Sequence, residues 1–295
     1  MRVLNFGSLN IDYVYQVDHF VCPGETISSR SLQINCGGKG LNQSVALSRA
    51  EVETWHAGLI GPEGAFLKEK LDSMGVNTHF LREVPGSTGH AIIQVDPTGQ
   101  NNILLHDGAN GCLTGAYVDE VLSAFTAEDI VLIQNETNCV SYIMQQAARR
   151  GMRLAMNAAP ANATLIDLPL ESLSWIFVNE VEGAFLAGTP APDDIVRILT
   201  ERYPRTVLIL TLGEQGSIAA HDGEIVRMPA RAVHVVDTTA AGDTFVGYFM
   251  RGVIDGSSLE ETLHLATAAS SLAVTREGAA DAVPAYREAI EFLRS

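Results

Sequence analysis

The chain contains few basic residues and few cysteines for its length. Its 19 Lys and Arg stand against 35 Asp and Glu, which gives a formal net charge of -16 over 295 residues. Such a chain lacks the basic field that nucleic acids and anionic membrane surfaces require, so neither is an expected partner. The four cysteines form no Cys-x-x-Cys pair, which argues against a structural zinc site. Scattered thiols in a chain of this size suit a reducing compartment better than a disulfide framework.

Long apolar runs and the common nucleotide-binding loops are also missing. The apolar runs at 130–133 and 207–210 have only strand length, and residues 1–12 contain no signal-type stretch. We therefore expect a cytoplasmic protein. The one Gly-Lys pair, Gly38-Lys39, is followed by Gly40, so there is no G-x-x-x-x-G-K-[ST] loop. The absence of G-x-G-x-x-G and of a His-Arg-Asp motif weakens dinucleotide-binding and protein-kinase interpretations.

Strand-like and helical patterns alternate along most of the chain. The hydrophobic content of 46% allows a sizeable core. Predicted strands cover 3–6, 54–60, 130–134, 154–157, 175–179 and 207–212, with a hairpin at 217–228. Predicted helices cover 41–49, 66–74, 140–150, 195–203, 242–252, 259–275 and 286–293. This alternation is typical of a three-layer αβα protein with a mostly parallel central sheet.

Two segments do not follow this alternation. Residues 11–17 alternate polar and apolar side chains, and 90–95 and 101–106 flank the turn sequence Pro-Thr-Gly-Gln at 97–100. We interpret them as a small antiparallel β sheet that acts as a lid. The sequence thus predicts one domain over 1–295, with a β lid formed by about 11–34 and 88–107.

The most informative segment is 237–245, Asp-Thr-Thr-Ala-Ala-Gly-Asp-Thr-Phe, which leads into a predicted helix. Small residues let backbone N–H groups approach an anion, and a helix N-terminus adds partial positive charge. An Asp in a pure phosphate site would repel the ligand. Asp243 is instead explained as a base that takes a hydroxyl proton while the N–H groups hold a phosphoryl group. The alternative is that Asp243 only caps the helix.

Two polar segments near the N-terminus are candidates for binding sugar hydroxyls. Residues 7–12 follow the first strand at its carboxyl end, where open α/β sheets bind ligands, and carry Asn10 and Asp12. Residues 35–43 place glycines before a helix whose first turn carries Asn42 and Gln43. Either segment could also be an ordinary turn, because Asn, Asp and Gly are common turn residues.

Two further segments follow predicted strands in the second half. Asn179 and Glu182 could organise the water shell of Mg²⁺, which takes few protein ligands, but the same spacing is a helix capping box. Residues 211–216 could form a wall for a nucleotide or a simple glycine turn, and alone they decide nothing. The eight histidines have no metal-ligand spacing.

The order and spacing of these segments resemble the ribokinase-like (PfkB) family of carbohydrate kinases from residue 7 to residue 284. Residues 37–43, Gly-Gly-Lys-Gly-Leu-Asn-Gln, are similar to the family's first signature, and 237–245 to its second. The resemblance implies the ribokinase-like fold, with the three layers and the β lid described above. It also implies a role for each matching position.

For the reaction itself, the resemblance implies that Asp243 is the catalytic base and that the backbone of Ala240, Ala241 and Gly242 forms an anion hole. The implied sugar-site residues are Asn10, Asp12, Gly38, Lys39, Asn42, Glu136 and Asp243. The implied nucleotide-site residues are Asn179, Thr211, Gly213, Gly216, Gly242 and Thr267. Asn179 and Glu182 match the motif that holds Mg²⁺ through water. The implied monovalent-cation residues are Asp237, Thr239, Ala273, Arg276 and Gly278.

The function implied is transfer of the γ-phosphoryl group of ATP to a sugar primary hydroxyl. Asn10, Asp12, Asn42 and Glu136 fit the pattern of the family's pentose kinases, which favours O5 of D-ribose. ATP, Mg²⁺ and K⁺ are the expected cofactors, although Ala282 replaces a serine that closes the cation loop in the family. We also expect a homodimer made through the lid. The alternatives are a kinase of the same family for another sugar, sugar acid or nucleoside, and a non-catalytic sugar-sensing protein.

Overall fold

The structure, a computed structural model, describes residues 1–295 and contains thirteen strands and nine α-helices. The strands are β1 (Val3–Phe6), β2 (Asn10–Gln16), β3 (Ser31–Gly37), β4 (Thr54–Ile60), β5 (Asn77–Glu83), β6 (Gly89–Val95), β7 (Asn101–His106), β8 (Ile130–Gln134), β9 (Arg153–Asn157), β10 (Trp175–Asn179), β11 (Val207–Thr211), β12 (Ser217–His221) and β13 (Glu224–Met228). The helices are α1 (Lys39–Arg49), α2 (Ala65–Ser73), α3 (Gly115–Ser123), α4 (Val140–Arg149), α5 (Glu180–Ala187), α6 (Pro192–Arg202), α7 (Ala241–Asp255), α8 (Leu259–Ala273) and α9 (Tyr286–Arg294).

The main sheet has nine strands in the order β13-β12-β11-β10-β9-β8-β1-β4-β5. All pairings from β11 to β5 are parallel, and only the β11–β12 and β12–β13 pairings at one edge are antiparallel. Two apolar clusters cover its faces, one packed by α3 to α6 and the other by α1, α2 and α7 to α9. The three-layer αβα architecture expected from the sequence is confirmed.

A second sheet has four strands in the order β3-β2-β6-β7. Its two outer pairings are antiparallel, whereas the inner strands β2 and β6 run parallel. Because directly paired residues share a face of a sheet, Asp12 lies on the same face as Ala91 and Leu105. The opposite face carries the row Ile34, Tyr13, Ile92 and Leu104.

Four elements of the fold were not predicted: β3, β5, α3 and α5. Helix α5 shows the physical reason, because its apolar residues Val181 and Phe185 are exposed and therefore do not mark a buried face. In β3, Leu32 and Ile34 are exposed in the same way. The other predicted elements lie within a few residues of their observed bounds. The largest extensions are three residues: α6 begins three residues before its predicted start, and α7 runs three residues past its predicted end to a left-handed Gly256.

The topology brings the polar segments of the sequence to one edge of the main sheet. Strands β1, β8, β10 and β11 run parallel, so the segments that follow them leave the sheet at the same edge. No helix of the fold has both the length and the apolar character needed to cross a lipid bilayer.

Candidate active site

The N-terminus of α7 presents free backbone donors. Ala240 adopts a left-handed conformation, with φ of 57°, and precedes the first helical turn. The N–H groups of Gly242 and Asp243 have no acceptor within the protein, whereas Ala241 N–H donates to Thr238 O at 3.2 Å. The free donors and the helix dipole create a local site for an anion in a protein whose net charge is negative.

Asp243 lies on the first turn of α7 and is only 7% exposed. Gln43 Nε2 donates to its Oδ1 at 2.8 Å, and Asn42 Nδ2 donates to its Oδ2 at 3.3 Å. Burial raises the pKa of the Asp243 carboxyl above its ordinary value, while Lys39 and the two amides oppose that rise. A buried carboxylate with a raised pKa is a stronger base than an exposed one, which suits proton abstraction.

Close packing of two glycines brings α1 under this carboxylate. A Cβ added to Gly40 would lie 2.3 Å from Gly7 Cα, and one added to Gly7 would lie 2.5 Å from Gly40 Cα. Only glycine at both positions lets the start of α1 rest on the loop after β1. The first turn of α1 therefore delivers Asn42 and Gln43 to Asp243.

The predicted sugar-binding carboxylates lie on the other side of Asp243, near the small sheet. Asp12 is largely buried, and burial followed by the neighbouring Glu136 raises its pKa to about 7. Gly37 faces it so closely that an added Cβ would lie 2.1 Å from Asp12 Oδ2. Glu136 accepts hydrogen bonds from Ser8 Oγ at 2.5 Å and from Lys39 N–H at 3.0 Å.

Two buried amides complete the sugar side. Asn10, on β2, has its Oδ1 bound by Asn110 Nδ2 at 2.8 Å. Asn110 also holds the backbone of Leu9, so the loop after β1 is tied to the segment after β7. Asn42 Oδ1 has no hydrogen-bond partner in the protein. Buried polar atoms are seldom left unpaired, so this oxygen suits a hydroxyl donated by a ligand.

The Lys39 side chain lies between the sugar side and a cavity at the α7 N-terminus. Burial alone would lower the pKa of its ammonium group, but the carboxylates of Asp243, Glu136 and Glu182 raise it above the ordinary value. Lys39 lines that cavity together with residues 240–243. The resemblance implied that Lys39 belongs to the sugar site; in the structure its N–H donates to Glu136, its ammonium group interacts with Glu136 and Asp243, and the residue also lines the cavity at the α7 N-terminus.

Two cavities meet at the start of α7. The first, of about 230 Å³, contains Asn179, Glu182 and Thr211 opposite residues 240–243. The second, of about 130 Å³, is lined by Gly213, Gly216, Ala230, Thr267, Ser270 and Ser271. Both cavities include Thr211, Ala241, Gly242 and Phe245, so they form one groove that passes over the helix N-terminus.

Asn179 and Glu182 form a complete capping box at α5. Asn179 Oδ1 accepts from the N–H groups of Val181 at 2.7 Å and Glu182 at 3.0 Å, and Glu182 Oε2 accepts from Asn179 N–H at 3.0 Å. The capping alternative is therefore correct as a description of their contacts. Both residues also line the first cavity, where Glu182 Oε1 has no donor. The chain contains no cluster of three or more His, Cys, Asp or Glu able to hold a metal.

The predicted nucleotide residues line the second cavity, except for Asn179, which lines the first. Gly213 and Gly216 both have positive φ, and a Cβ on Gly216 would lie 2.0 Å from Met228 O, so the turn after β11 requires glycine there. Thr267, on α8, is buried and its Oγ1 lies 3.0 Å from Ser217 Oγ. The sequence prediction missed Ser270 and Ser271. Their spacing of three and four residues from Thr267 places them on the same helix face, which could have identified them.

The predicted cation-site residues lie in two adjoining loops. Asp237 Oδ1 accepts from Thr239 N–H at 2.9 Å and Oγ1 at 2.6 Å, and its Oδ2 accepts from Gly278 N–H at 3.0 Å. Burial opposes the charge, but these hydrogen bonds lower the pKa of Asp237 below its ordinary value. Ala273 ends α8 beside this contact, and the Arg276 side chain turns away to Glu288. Asp237 thus joins the loop before α7 to the loop after α8.

Comparison with known proteins gives a consistent result. Residues 2–285 match the model of the pfkB family carbohydrate kinases. The chain is 33% identical to a ribokinase from Haemophilus influenzae, over 97% of this chain and 96% of that protein. Its structure is similar to a ribokinase from Cryptococcus neoformans in complex with ADP, with 34% identity, 98% of both chains covered and a TM-score of 0.87.

A ribokinase from Arabidopsis thaliana complexed with ribose and ATP is also similar, at 28% identity and a TM-score of 0.88, over 100% of this chain and 99% of that one. The family match spans nearly the whole chain and includes both signature segments. The chain therefore belongs to the pfkB family of carbohydrate kinases.

Proposed function

We propose that the protein is an ATP-dependent kinase that phosphorylates O5 of D-ribose. The observation that carries this proposal is the position of Asp243, a buried carboxylate between hydrogen-bonding sugar-side residues and a groove with free N–H donors. A base at such a junction can contact the attacking hydroxyl and the transferred phosphoryl group at once. Similarity to ribokinases, one of them complexed with ribose and ATP, supports the choice of both substrates.

The sugar side supplies acceptors for ribose hydroxyls. Asp12 and Glu136 offer carboxylate oxygens, and Asn42 offers an amide oxygen that no protein group occupies. Several acceptors placed around a bound polyol fix its orientation as well as its affinity. This orientation directs the primary hydroxyl to Asp243. Ala91 and Ile103 share the Asp12 face of the small sheet and would cover the sugar ring.

Phosphoryl transfer follows from the same geometry. Asp243 accepts the O5 proton as the hydroxyl oxygen bonds to the γ-phosphorus and the bond to ADP breaks. The N–H groups of Gly242 and Asp243, with the Lys39 ammonium, stabilise the charge on the transferred group. Ala240 and Ala241 form the turn that directs these donors towards the groove. The adenine moiety of ATP would bind in the second cavity, near Thr267.

Mg²⁺ fits the first cavity in the manner usual for this ion, which keeps several waters and few protein ligands. The free Glu182 Oε1 and the Asn179 amide would hold metal-bound waters. When bound, the ion neutralises phosphate charge. One or two carboxylates together with substrate phosphates commonly hold Mg²⁺ in proteins, and Glu182 supplies one carboxylate here.

A monovalent cation, K⁺ in preference, is proposed between the loops joined by Asp237 and Gly278. It would take carbonyl oxygens of Thr239, Ala273, Arg276 and Gly278 and so stabilise the backbone just before α7. Its effect should appear in kcat. Equal kcat values in K⁺ and in tetramethylammonium would contradict this part of the proposal.

We further propose a homodimer formed through the small sheet, which also acts as the lid over the sugar. The row Ile34, Tyr13, Ile92 and Leu104 crosses all four strands, and Ile34 and Leu104 are 55% and 66% exposed. An exposed apolar row of this kind on a monomer marks a surface for interaction with another protein. A second copy of the same sheet offers an apolar face of the same kind.

The test is ADP release with a panel of pentoses, hexoses, sugar acids and nucleosides, in the presence of Mg²⁺ and K⁺. We expect the highest kcat/KM with D-ribose, and the product should carry phosphate on O5 by ³¹P and ¹³C NMR. A higher kcat/KM with another sugar or a nucleoside would support the other kinase alternative. Ribose binding by calorimetry without ADP release would support the sugar-sensing alternative.

A further inference from the structure

Beneath Asp243 lies a buried line of polar side chains that the proposed chemistry does not use. Gln43, Gln134 and Asn5 are each no more than 1% exposed. They come from three elements, α1, β8 and β1, and they follow one another from the α7 N-terminus into the sheet. Burying three amides is costly unless each is satisfied, so their arrangement needs an explanation.

The hydrogen bonds of this line run outward from Gln134, whose NH₂ group donates to both neighbours while its own Oε1 has no partner in the protein. Gln134 Nε2 donates to Gln43 Oε1 at 2.7 Å and to Asn5 Oδ1 at 2.9 Å. Gln43 Nε2 in turn donates to Asp243 Oδ1 at 2.8 Å. A reversed Gln43 amide would set its oxygen against the Asp243 carboxylate and its NH₂ group against that of Gln134. Gln134 therefore reinforces the orientation of Gln43 that the acceptor-only Asp243 carboxylate also favours.

The far end of the line is anchored in the core. Asn5 Nδ2 donates to Gly40 O at 2.8 Å and to Ser44 Oγ at 2.8 Å. Ser44 Oγ in turn lies 2.8 Å from Nδ1 of the buried His56. These contacts attach the amides to α1 and β4, so the line cannot move independently of the sheet.

We infer that Gln43, oriented by Gln134, is a positioning residue that holds Oδ1 of Asp243 and leaves Oδ2 to accept the proton of the sugar hydroxyl. This inference deepens the proposed function and rests on it. The donated N–H stabilises the ionised carboxylate, and the fixed Oδ1 sets the rotation of the carboxyl plane towards the groove. Asn42, the donor to Oδ2, lies on the sugar side and can exchange that contact for a sugar hydroxyl.

Three charged groups determine how Asp243 responds when the Gln43 donor is lost. Lys39 favours the ionised carboxylate, whereas Glu136 and Asp243 disfavour one another's ionisation. Glu182 influences Asp243 only indirectly, because it raises the pKa of the Lys39 ammonium group. Burial disfavours the charged form and remains when the donor is removed. Without Gln43 Nε2, the base should therefore become protonated at higher pH.

The experiment is to measure kcat, both KM values and the pH profile of kcat for Gln43→Met and Gln134→Met. Methionine keeps the size and lacks the amide, so we expect Gln43→Met to lower kcat by about tenfold to hundredfold, with KM values within about threefold of wild type. The acid limb of its pH profile should move up by about one unit. Gln134→Met should also lower kcat and move the acid limb to higher pH, but by smaller amounts than Gln43→Met, because Gln43 keeps its contact with Asp243.

Gln146→Met is the matched control, because Gln146 is a half-buried glutamine on α4 bonded to Arg150. It should leave kcat and the acid limb unchanged. If Gln43→Met does not fold, Gln134→Met decides the question. If the wild-type protein is active and both variants keep its kcat and its acid limb, the inference is overturned, but the proposed function is not. A wild-type protein that phosphorylates nothing in the panel would overturn the proposed function and the inference together.

Discussion

Replacing Asp243 by Asn tests the assignment of the catalytic base most directly. The amide keeps the shape of the side chain, and its oxygen can still accept from Gln43 Nε2, which now bonds Oδ1 at 2.8 Å. The NH₂ group of the substituted side chain would then face the sugar hydroxyl. It would also face the NH₂ group of Asn42, which lies 3.3 Å from Asp243 Oδ2 in the wild-type structure. The variant therefore loses the proton acceptor at the one position that contacts the substrate, while the surrounding packing stays the same.

General-base catalysis contributes about 10²- to 10⁴-fold in rate, which corresponds to roughly 3–5 kcal/mol of barrier. We expect Asp243→Asn to lower kcat by that factor and to change the KM values for ribose and ATP little. Burial raises the pKa of the Asp243 carboxyl and so disfavours the charge, hence a neutral side chain should not lower the free energy of unfolding by more than about 1 kcal/mol.

Asp194→Asn is the matched control, because Asp194 is the third residue of α6 just as Asp243 is the third residue of α7. Asp194 is exposed and contacts Arg197, so its variant should keep wild-type kcat. The assays are ADP release under saturating substrates and thermal unfolding of both variants. If Asp243→Asn keeps a third or more of the wild-type kcat, Asp243 is a structural residue and the reasoning is refuted.

Four other experiments test individual contacts. Glu182→Gln retains the capping hydrogen bonds, so we expect an unchanged thermal midpoint but a higher Mg²⁺ concentration for half-maximal rate; the same change at Glu261, in the second capping box, should alter neither. Gly37→Ala should raise the KM for ribose by about tenfold or more, because its Cβ would displace the Asp12 carboxylate; an unchanged KM would contradict this contact. The KM for ribose should fall as pH rises through about 7, because ionised Asp12 offers only acceptors, and a flat profile would disprove this role. Leu104→Glu should convert the dimer to a species of 31.6 kDa in light scattering, and a wild-type protein already of that mass would exclude the dimer.

Most of the main sheet was predictable because its strands are buried on both faces. Buried parallel strands consist of continuous apolar runs such as 130–133, and these have few other interpretations. The small sheet was harder. Strand β3 has exposed apolar residues and no clear alternation of burial, and its pairing partner lies earlier in the chain. The parallel pairing of β2 with β6 depends on chain segments 79 residues apart, since Asn10 pairs with Gly89, and no local pattern encodes it.

The positions of the site residues were predictable in sequence but not their contacts. The segments after β1, β10 and β11 follow the rule that ligands bind at the carboxyl edge of a parallel sheet. The surroundings of the Lys39 side chain were not predictable, because its ammonium group interacts with Asp243, Glu136 and Glu182, which come from three separate parts of the chain. The role of Gln134 was equally hidden. Within a buried apolar strand, one glutamine shows nothing of its partners until Gln43 and Asn5 are brought beside it.

The structural and functional interpretations of the same residues turn out to be compatible at α5. Asn179 and Glu182 cap the helix and also border the cavity, because a capped helix N-terminus at the carboxyl edge of a sheet is itself adjacent to the ligand groove. Capping uses Glu182 Oε2 and Asn179 Oδ1, which leaves Oε1 and the amide NH₂ group for other partners. Capping also fixes the rotamers of both side chains, so that their free atoms are held ready for a ligand. For such residues a capping pattern in the sequence does not count against a functional role.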